Sequence, residues 1–261
     1  MIVDKENFKK YVMELSKEDK RADGRKLLDY RQPIEIKYNI SKNAEGSASV
    51  TMGKTKVVCG VKLQLGEPYP DRPDEGTMIV TAEFAALSSP NFEPGAPGEN
   101  AIELARVVDR GIRESGSIDV KKLCVEEGGK VWLAFIDIYV QNHDGNLIDA
   151  ASLAAVSALL QAKFPKLKKD GTVNYDEHTK DSLPMVHKPI ACTITKIQDK
   201  LFVDTTADEE EIADGRITIT TDEKGIINAM QKGGSAAMAE DEINKCVEIA
   251  LEKAKELRKL I

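Results

Sequence analysis

Apolar residues along the chain change period several times, and the changes divide it into elements. Near the N-terminus Phe8, Tyr11, Val12 and Leu15 recur at i, i+3, i+4 and i+7 among lysines and glutamates, which predicts an amphipathic helix. Arg21-Ala22-Asp23-Gly24-Arg25 breaks it. Alternation then predicts strands over Ile34–Ile40, Ser47–Met52, Thr55–Leu65 and Thr77–Phe84, with a Pro/Gly-rich loop from Gly66 to Gly76 before the last of these. After the turn-rich stretch Ser88–Gly98, helical spacing resumes over Glu99–Glu114. A strand over Val131–Val140 leads into a nearly all-apolar helix over Asn146–Phe164, which has little face left for solvent and is therefore central.

Polar residues punctuated by Pro165, Gly171 and Pro184 predict a connection at 166–188. The plan then repeats, with strands over Pro189–Lys196, Leu201–Thr206, Arg216–Thr221 and Gly225–Met230 and a long helix ending at Ile261. Gly233-Gly234-Ser235 stands before that helix like a phosphate cradle, but it lacks the Lys-Ser/Thr of a P-loop and is expected to be a turn with a serine cap. Sheet-then-helix twice over predicts an α+β duplication. Its segments are an N-terminal helix at 1–20, a first half at 21–165, the connection, and a second half at 189–261.

Composition narrows the function classes. A net charge of −7 excludes bulk attraction to nucleic acid, so any RNA contact must come from a local basic patch. Charged residues make up 31% of the chain, which predicts a densely ion-paired surface. Cys59, Cys124, Cys192 and Cys246 are far apart with no CxxC pair, so zinc is not expected and the thiols are expected to be buried and reduced. No stretch approaches the roughly 18 apolar residues of a membrane span and no signal-peptide core stands at the N-terminus, which predicts a cytoplasmic protein.

Three groupings hold candidate chemistry. The first is the turn Gln141-Asn142-His143-Asp144-Gly145 ahead of the helix opening Asn146-Leu147-Ile148-Asp149. A glycine turn into a helix aims unpaired amides and a partial positive dipole forward, as an anion site requires. Asp144 stands in front, however, and Asn146 with Asp149 has the spacing of a capping-box variant that would consume those amides. The second is Arg106, Arg110 and Arg113, which fall within about 60° on one helical face. Such a row can follow a phosphodiester backbone. Equally, Glu103, Asp109 and Glu114 are spaced to pair with these arginines on a merely solvated face, and spacing alone favours the ion pairs. The third is the run Asp204, Asp208, Glu209, Glu210, Glu211 and Asp214. It suits magnesium or acid catalysis, but a solvated acidic loop is the expectation, since like-charge runs are usually exposed. His143, His178 and His187 have no ligand spacing, and no catalytic motif is present.

Several segments together resemble the RNase PH family of phosphorolytic exoribonucleases. They are Arg21-x-Asp23-Gly24-Arg25, Gly46-Ser47-Ala48, Gly53-x-Thr55, the helix with Glu103-Leu104, the Asp144-Gly145 turn, Leu183-Pro184 and Phe202-Val203-Asp204. Within the family the chain is most similar to the non-catalytic ring subunit of the archaeal exosome. The resemblance implies an RNase PH-like fold of two related halves and a heterodimer with a catalytic RNase PH-like subunit. Trimerised, that heterodimer gives a hexameric ring with a central channel for single-stranded RNA, under caps carrying RNA-binding domains. Active members bind the attacking inorganic phosphate at a Gly-Ser/Thr-Arg turn, to which Gly145-Asn146-Leu147 corresponds here. Glu210 and Arg216 fall at the family's paired aspartates, and Glu99 and Asn100 at its paired arginines.

These departures imply a chain that is not itself an enzyme and uses no cofactor, inorganic phosphate being the co-substrate of the partner's site. The resemblance shifts the balance for the arginine helix toward RNA contact by Arg106, Arg110 and Arg113, with Arg72 a further candidate on the channel wall. Rival readings are an exonuclease active by itself through Asp204 and Glu209–Glu211, a scaffold without RNA contact and, more distantly, a small-molecule kinase of related fold.

Overall fold

The structure, a computed structural model, describes residues 4–261. Helix α1 (Lys5–Ser16) starts at Asp4, whose Oδ1 accepts the amides of Glu6 and Asn7. The first three residues of the expected N-terminal segment lie outside the described residues. The helix packs Phe8 and Val12 into a small cluster with Leu27, Ile197, Phe202 and Ile212. The N-terminal helix thus leans on the second half of the chain.

The first sheet comprises β1 (Ile34–Tyr38), β2 (Gly46–Met52), β3 (Thr55–Gly66), β4 (Thr77–Phe84), β5 (Cys124–Glu126) and β6 (Lys130–Asn142), in the order β1-β2-β3-β6-β4 with β5 paired to β6. β3 and β6 form the long antiparallel centre, with Val57 opposite Val140 and Val61 opposite Ile136. Period-2 alternation turns Val57, Cys59, Val61 and Leu63 into the core. β4 runs parallel to β6, and the connection between them contains α2 (Glu99–Glu114), which packs on β4.

Helix α3 (Leu147–Gln161) lies beneath this sheet, with Ala150, Ala151, Leu153, Ala154, Ala155, Val156 and Leu159 fully buried. It approaches β2 so closely that a Cβ on Gly46 would sit 2.3 Å from the Ala158 carbonyl oxygen. The helix stops at Gln161, short of Phe164. Pro165 disfavours helical backbone at the preceding residue and would clash with the Gln161 carbonyl, so Ala162 is already extended. The chain then forms the hairpin β7 (Lys163–Leu167) and β8 (Val173–Ser182), so the polar stretch expected as a plain connection is largely paired strand.

The second sheet is antiparallel throughout: β9 (Ile190–Ile197), β10 (Lys200–Val203), β11 (Gly215–Thr221) and β12 (Ile227–Gly234), in the order β10-β9-β11-β12. A short helix α4 (Ala207–Glu211) sits between β10 and β11. β9 contacts both α3 and the terminal helix α5 (Glu240–Arg258), and all of it except Lys196 is buried. Gly233-Gly234 ends β12 instead of capping α5, and Ala239 is the residue before that helix. Gly234 has a φ of 80° and a Cβ there would sit 2.7 Å from the Gly215 Cα, which explains a glycine at the end of this strand. The cysteines are unpaired; Cys59, Cys192 and Cys246 are buried, but Cys124, at the start of an edge strand, is only half-buried.

Candidate functional site

The turn between β6 and α3 is wedged between the two halves. Gly145 and Asn146 both have positive φ, 89° and 52°. A Cβ on Gly145 would lie 2.2 Å from the Thr205 carbonyl oxygen, so glycine is needed both for backbone and for space. Thr55 closes the turn: its Oγ1 donates to the Gly145 carbonyl at 2.7 Å and accepts the Asp144 amide at 3.2 Å.

The forward-pointing amide is already bound. Asn146 N–H donates to Glu210 Oε1 at 2.7 Å, so a carboxylate from α4 occupies the place an anion would take. The expected side-chain cap by Asn146 does not form. Its left-handed backbone aims the carboxamide away from the first-turn amides, and Nδ2 bridges Asp149 Oδ2 at 3.1 Å and Asp204 Oδ1 at 2.9 Å. Asp149 is fully buried and also accepts from Thr193 N–H at 3.0 Å and Thr193 Oγ1–H at 2.7 Å. Burial outweighs these bonds and pushes its carboxyl up to about 7. Glu210 is also raised, to about 7, first by desolvation of its carboxyl where it meets the turn, although the residue as a whole is exposed.

Asp204 draws the neighbouring arginines together. Arg31 donates to both its oxygens, Nε at 3.0 Å and Nη2 at 2.8 Å, and to the Gly145 carbonyl at 3.1 Å and Asp144 Oδ2 at 3.0 Å. Arg25 Nη1 adds a bond to Asp204 Oδ2 at 3.2 Å. Arg21 is buried against Glu209 and donates to the Val203 carbonyl at 2.7 Å. The Arg21-x-Asp23-Gly24-Arg25 segment therefore fastens the chain to the β10–α4 corner and offers no free cation.

The acidic run divides. Asp204 and Glu209 are buried and paired, against the expectation of a solvated loop, because arginines more than 170 residues away in sequence cover them. Asp208 is exposed, Glu211 meets Lys5 at 3.2 Å and Asp214 meets Lys9 at 2.5 Å, as solvated or rim pairs do. Arg216, expected at the position of the family's second aspartate, reaches across to Glu103 on α2 at 2.6 Å. Leu147 is buried and, with Phe84, Phe92, His143 and Ile148, lines a small cavity of about 150 Å³ in front of the turn. Asn100 reaches this cavity, while Glu99 stands in the acidic first turn of α2.

The arginine row also divides. Arg113 is spent on Asp109, at 3.0 and 2.6 Å, and on the Met78 carbonyl at 2.9 Å. Among the described residues Arg106 and Arg110 form no ion pair, since Glu103 is taken by Arg216. Both are exposed and line a groove of about 390 Å³ between α2 and the β11–β12 edge. Arg72 is exposed, 3.9 Å from Asp71 and 3.8 Å from Glu75.

Sequence reasoning missed Arg31, the centre of the network, because its partners are 113 and 173 residues away and no local pattern marks it. It also missed the Arg216–Glu103 pair, whose partners belong to different halves.

The model of the RNase PH 3′ exoribonuclease family matches the chain in two parts, domain 1 over residues 31–165 and domain 2 over residues 187–253. The chain is 48% identical over 259 residues to the exosome complex component Rrp42 of Thermococcus kodakarensis, covering 96% of this chain and 93% of that protein. It is 45% identical to the Rrp42 of Methanosarcina mazei, covering 97% and 92%. Among solved structures it superposes on a chain of the Archaeoglobus fulgidus exosome with RNA bound to the active site, with a TM-score of 0.90, 44% identity and 98% of each chain covered. An archaeal exosome core chain gives a TM-score of 0.85 at 40% identity, with 98% of this chain and 96% of that chain covered. With both domain models matched and near-complete coverage of such relatives, the chain belongs to the RNase PH 3′ exoribonuclease family.

Proposed function

We propose that this chain is the non-catalytic RNase PH-type subunit of an archaeal exosome ring. It pairs with a catalytic RNase PH-like subunit, structures that partner's active site and helps hold RNA during phosphorolytic 3′–5′ degradation. The partner adds inorganic phosphate across the terminal phosphodiester and releases nucleoside diphosphates. Three heterodimers close a cytoplasmic hexamer whose channel takes single-stranded RNA beneath RNA-binding caps.

The observation that carries the reading is the Asn146 amide bound to Glu210, with Leu147 where a phosphate-binding arginine would stand. A free phosphate must displace a carboxylate from this turn, and the nearby guanidiniums of Arg31 and Arg25 are already committed to Asp204 and Asp144. No unpaired cation at the turn compensates that exchange. Exposed Arg106 and Arg110 supply the RNA contact, with Arg113 and Arg72 as lesser contributors. Contacts of this kind position the RNA backbone without reading its sequence.

Reconstitution tests the proposal. The chain alone, the catalytic partner alone and the complex are each incubated with RNA and phosphate. Nucleoside diphosphate release is expected from the complex and absent from this chain; robust release by this chain alone sinks the reading.

A further inference from the structure

Arg106 has a carboxylate on each side of it along α2, Glu103 three residues before and Asp109 three residues after. Residues at this spacing are neighbours on a helix, about 5–6 Å apart at Cβ, and an acid and an arginine there pair readily. Yet Arg106 forms no ion pair among the described residues, because both carboxylates are held by other arginines. Asp109 is taken by Arg113 at 2.6 Å. Glu103 is taken from outside the helix: Arg216 on β11 reaches it across the seam between the halves, Nη2 to Oε2 at 2.6 Å. Glu99 also lines the groove beside Arg106, but it stands about two turns away, roughly 10.5 Å along the axis, and so is not placed to pair with it.

We infer that Arg216 is a positioning residue for RNA binding: by holding Glu103 it keeps Arg106 unpaired for the phosphodiester backbone. The inference rests on the ring-subunit reading and deepens it, since RNA contact by α2 alone gives no task to a residue of the second half. Glu103 and Arg106 line the same groove, so a released Glu103 can meet Arg106 by side-chain rotation alone. Glu99, four residues before Glu103, repels it along the helix toward Arg106. The Arg216 guanidinium therefore has two effects. It cancels a negative charge beside the RNA contact, and it occupies the carboxylate that would compete with phosphate for Arg106. Glu210 also lies within range of the Arg216 charge, but the ion pair that Arg216 forms is with Glu103. The two side chains of that pair are 38% and 31% exposed, so it acts through charge at the surface more than as a buried lock on the fold.

The test is a cycle of variants in the ring reconstituted with its catalytic partner, with RNA affinity read by fluorescence anisotropy at low salt, where surface charge is least screened. Arg216→Ala is expected to weaken RNA binding roughly two- to fivefold, the scale of one exposed ion pair. Adding Glu103→Gln is expected to restore the affinity, because the released carboxylate is then gone. On an Arg106→Ala background the effect of R216A is expected to fall below roughly twofold. A tie that only fastened the two halves together would give the opposite pattern, with no recovery in the double variant and an undiminished loss without Arg106. Either of those results overturns the proposal, as does unaltered affinity in R216A. Arg216→Met, which keeps the aliphatic stem, is measured beside R216A so that a packing defect in the alanine variant does not decide the outcome. Failure of both to join the ring overturns the proposal too, since Arg216 would then hold the fold. Absence of phosphate-dependent degradation by the wild-type complex, with the affinity cycle as expected, would instead sink the ring-subunit reading.

Discussion

Arg31 and Asp204 form a two-pronged ion pair buried beneath the turn, Nε to Oδ2 at 3.0 Å and Nη2 to Oδ1 at 2.8 Å, and the Arg31 amide itself donates to Oδ2 at 2.6 Å. The pair ties the start of the first half to the β10–α4 corner of the second, across the turn between β6 and α3.

Arg31→Ala is expected to leave Asp204 with the residue-31 backbone amide, Arg25 and Asn146 as remaining donors and to remove both guanidinium prongs. Breaking a buried pair by removing one partner costs about 3–5 kcal/mol. For a domain of this size that corresponds to a melting temperature lower by roughly 10 °C. Arg31→Lys should recover little, because an ammonium cannot span Asp204, Asp144 and the Gly145 carbonyl together. Thermal unfolding of the three proteins checks this; a lysine variant as stable as the wild type would contradict it.

Restoring the missing cation should not restore activity. Leu147→Arg supplies a guanidinium, but Glu210 still holds the Asn146 amide and Arg216 still holds Glu103. The variant chain is expected to release no nucleoside diphosphate from RNA and phosphate. Calorimetric titration with inorganic phosphate should likewise show no binding, and a clear isotherm would refute the occupied-turn account.

Asp149 gives a pH dependence with a definite sign. Its native carboxyl keeps a proton up to about 7, against about 3.9 in an unfolded chain, so the native state binds more protons between those values. Its contribution to stability is fully present below about pH 4 and is lost as pH rises through about 7. Asp149→Asn removes that titration. The melting temperature of the wild type minus that of the variant is expected to fall between pH 5 and pH 8 and then level off. A difference independent of pH would show that Asp149 is ionised throughout.

The division of the arginine row can be measured. Arg113→Ala should lower ring RNA affinity less than Arg106→Ala or Arg110→Ala, since Arg113 is already held by Asp109 and the Met78 carbonyl. Its cost in stability should be small, about 0–1 kcal/mol, because the ion pair is partly exposed. Equal losses of affinity across the three variants, by fluorescence anisotropy, would remove the distinction.

Much of this architecture was legible in the sequence because it rests on local periodicity. Thr77–Phe84 and Glu99–Glu114 have the bounds that alternation and helical spacing predict. The buried character of α3 follows from its composition. Boundaries failed where one residue outweighed the pattern, as Pro165 does at the end of α3. The hairpin β7–β8 stayed hidden because its exposed strands contain few apolar residues to alternate.

The turn at Gly145 divides the two kinds of information most clearly. The sequence by itself determined that a glycine turn feeds a helix, that no lysine or arginine stands in that turn, and that carboxylates crowd the neighbourhood, because all of these are properties of adjacent residues. Tertiary structure alone decided what became of the vacant amide. Glu210 approaches from 64 residues away to accept it, Arg31 from 113 away to brace the turn, and Asn146 turns from the expected cap to a bridge between Asp149 and Asp204. Hydrogen-bond partners of buried groups are chosen by proximity in space, and in this fold that proximity is set by two sheets closing on one central helix.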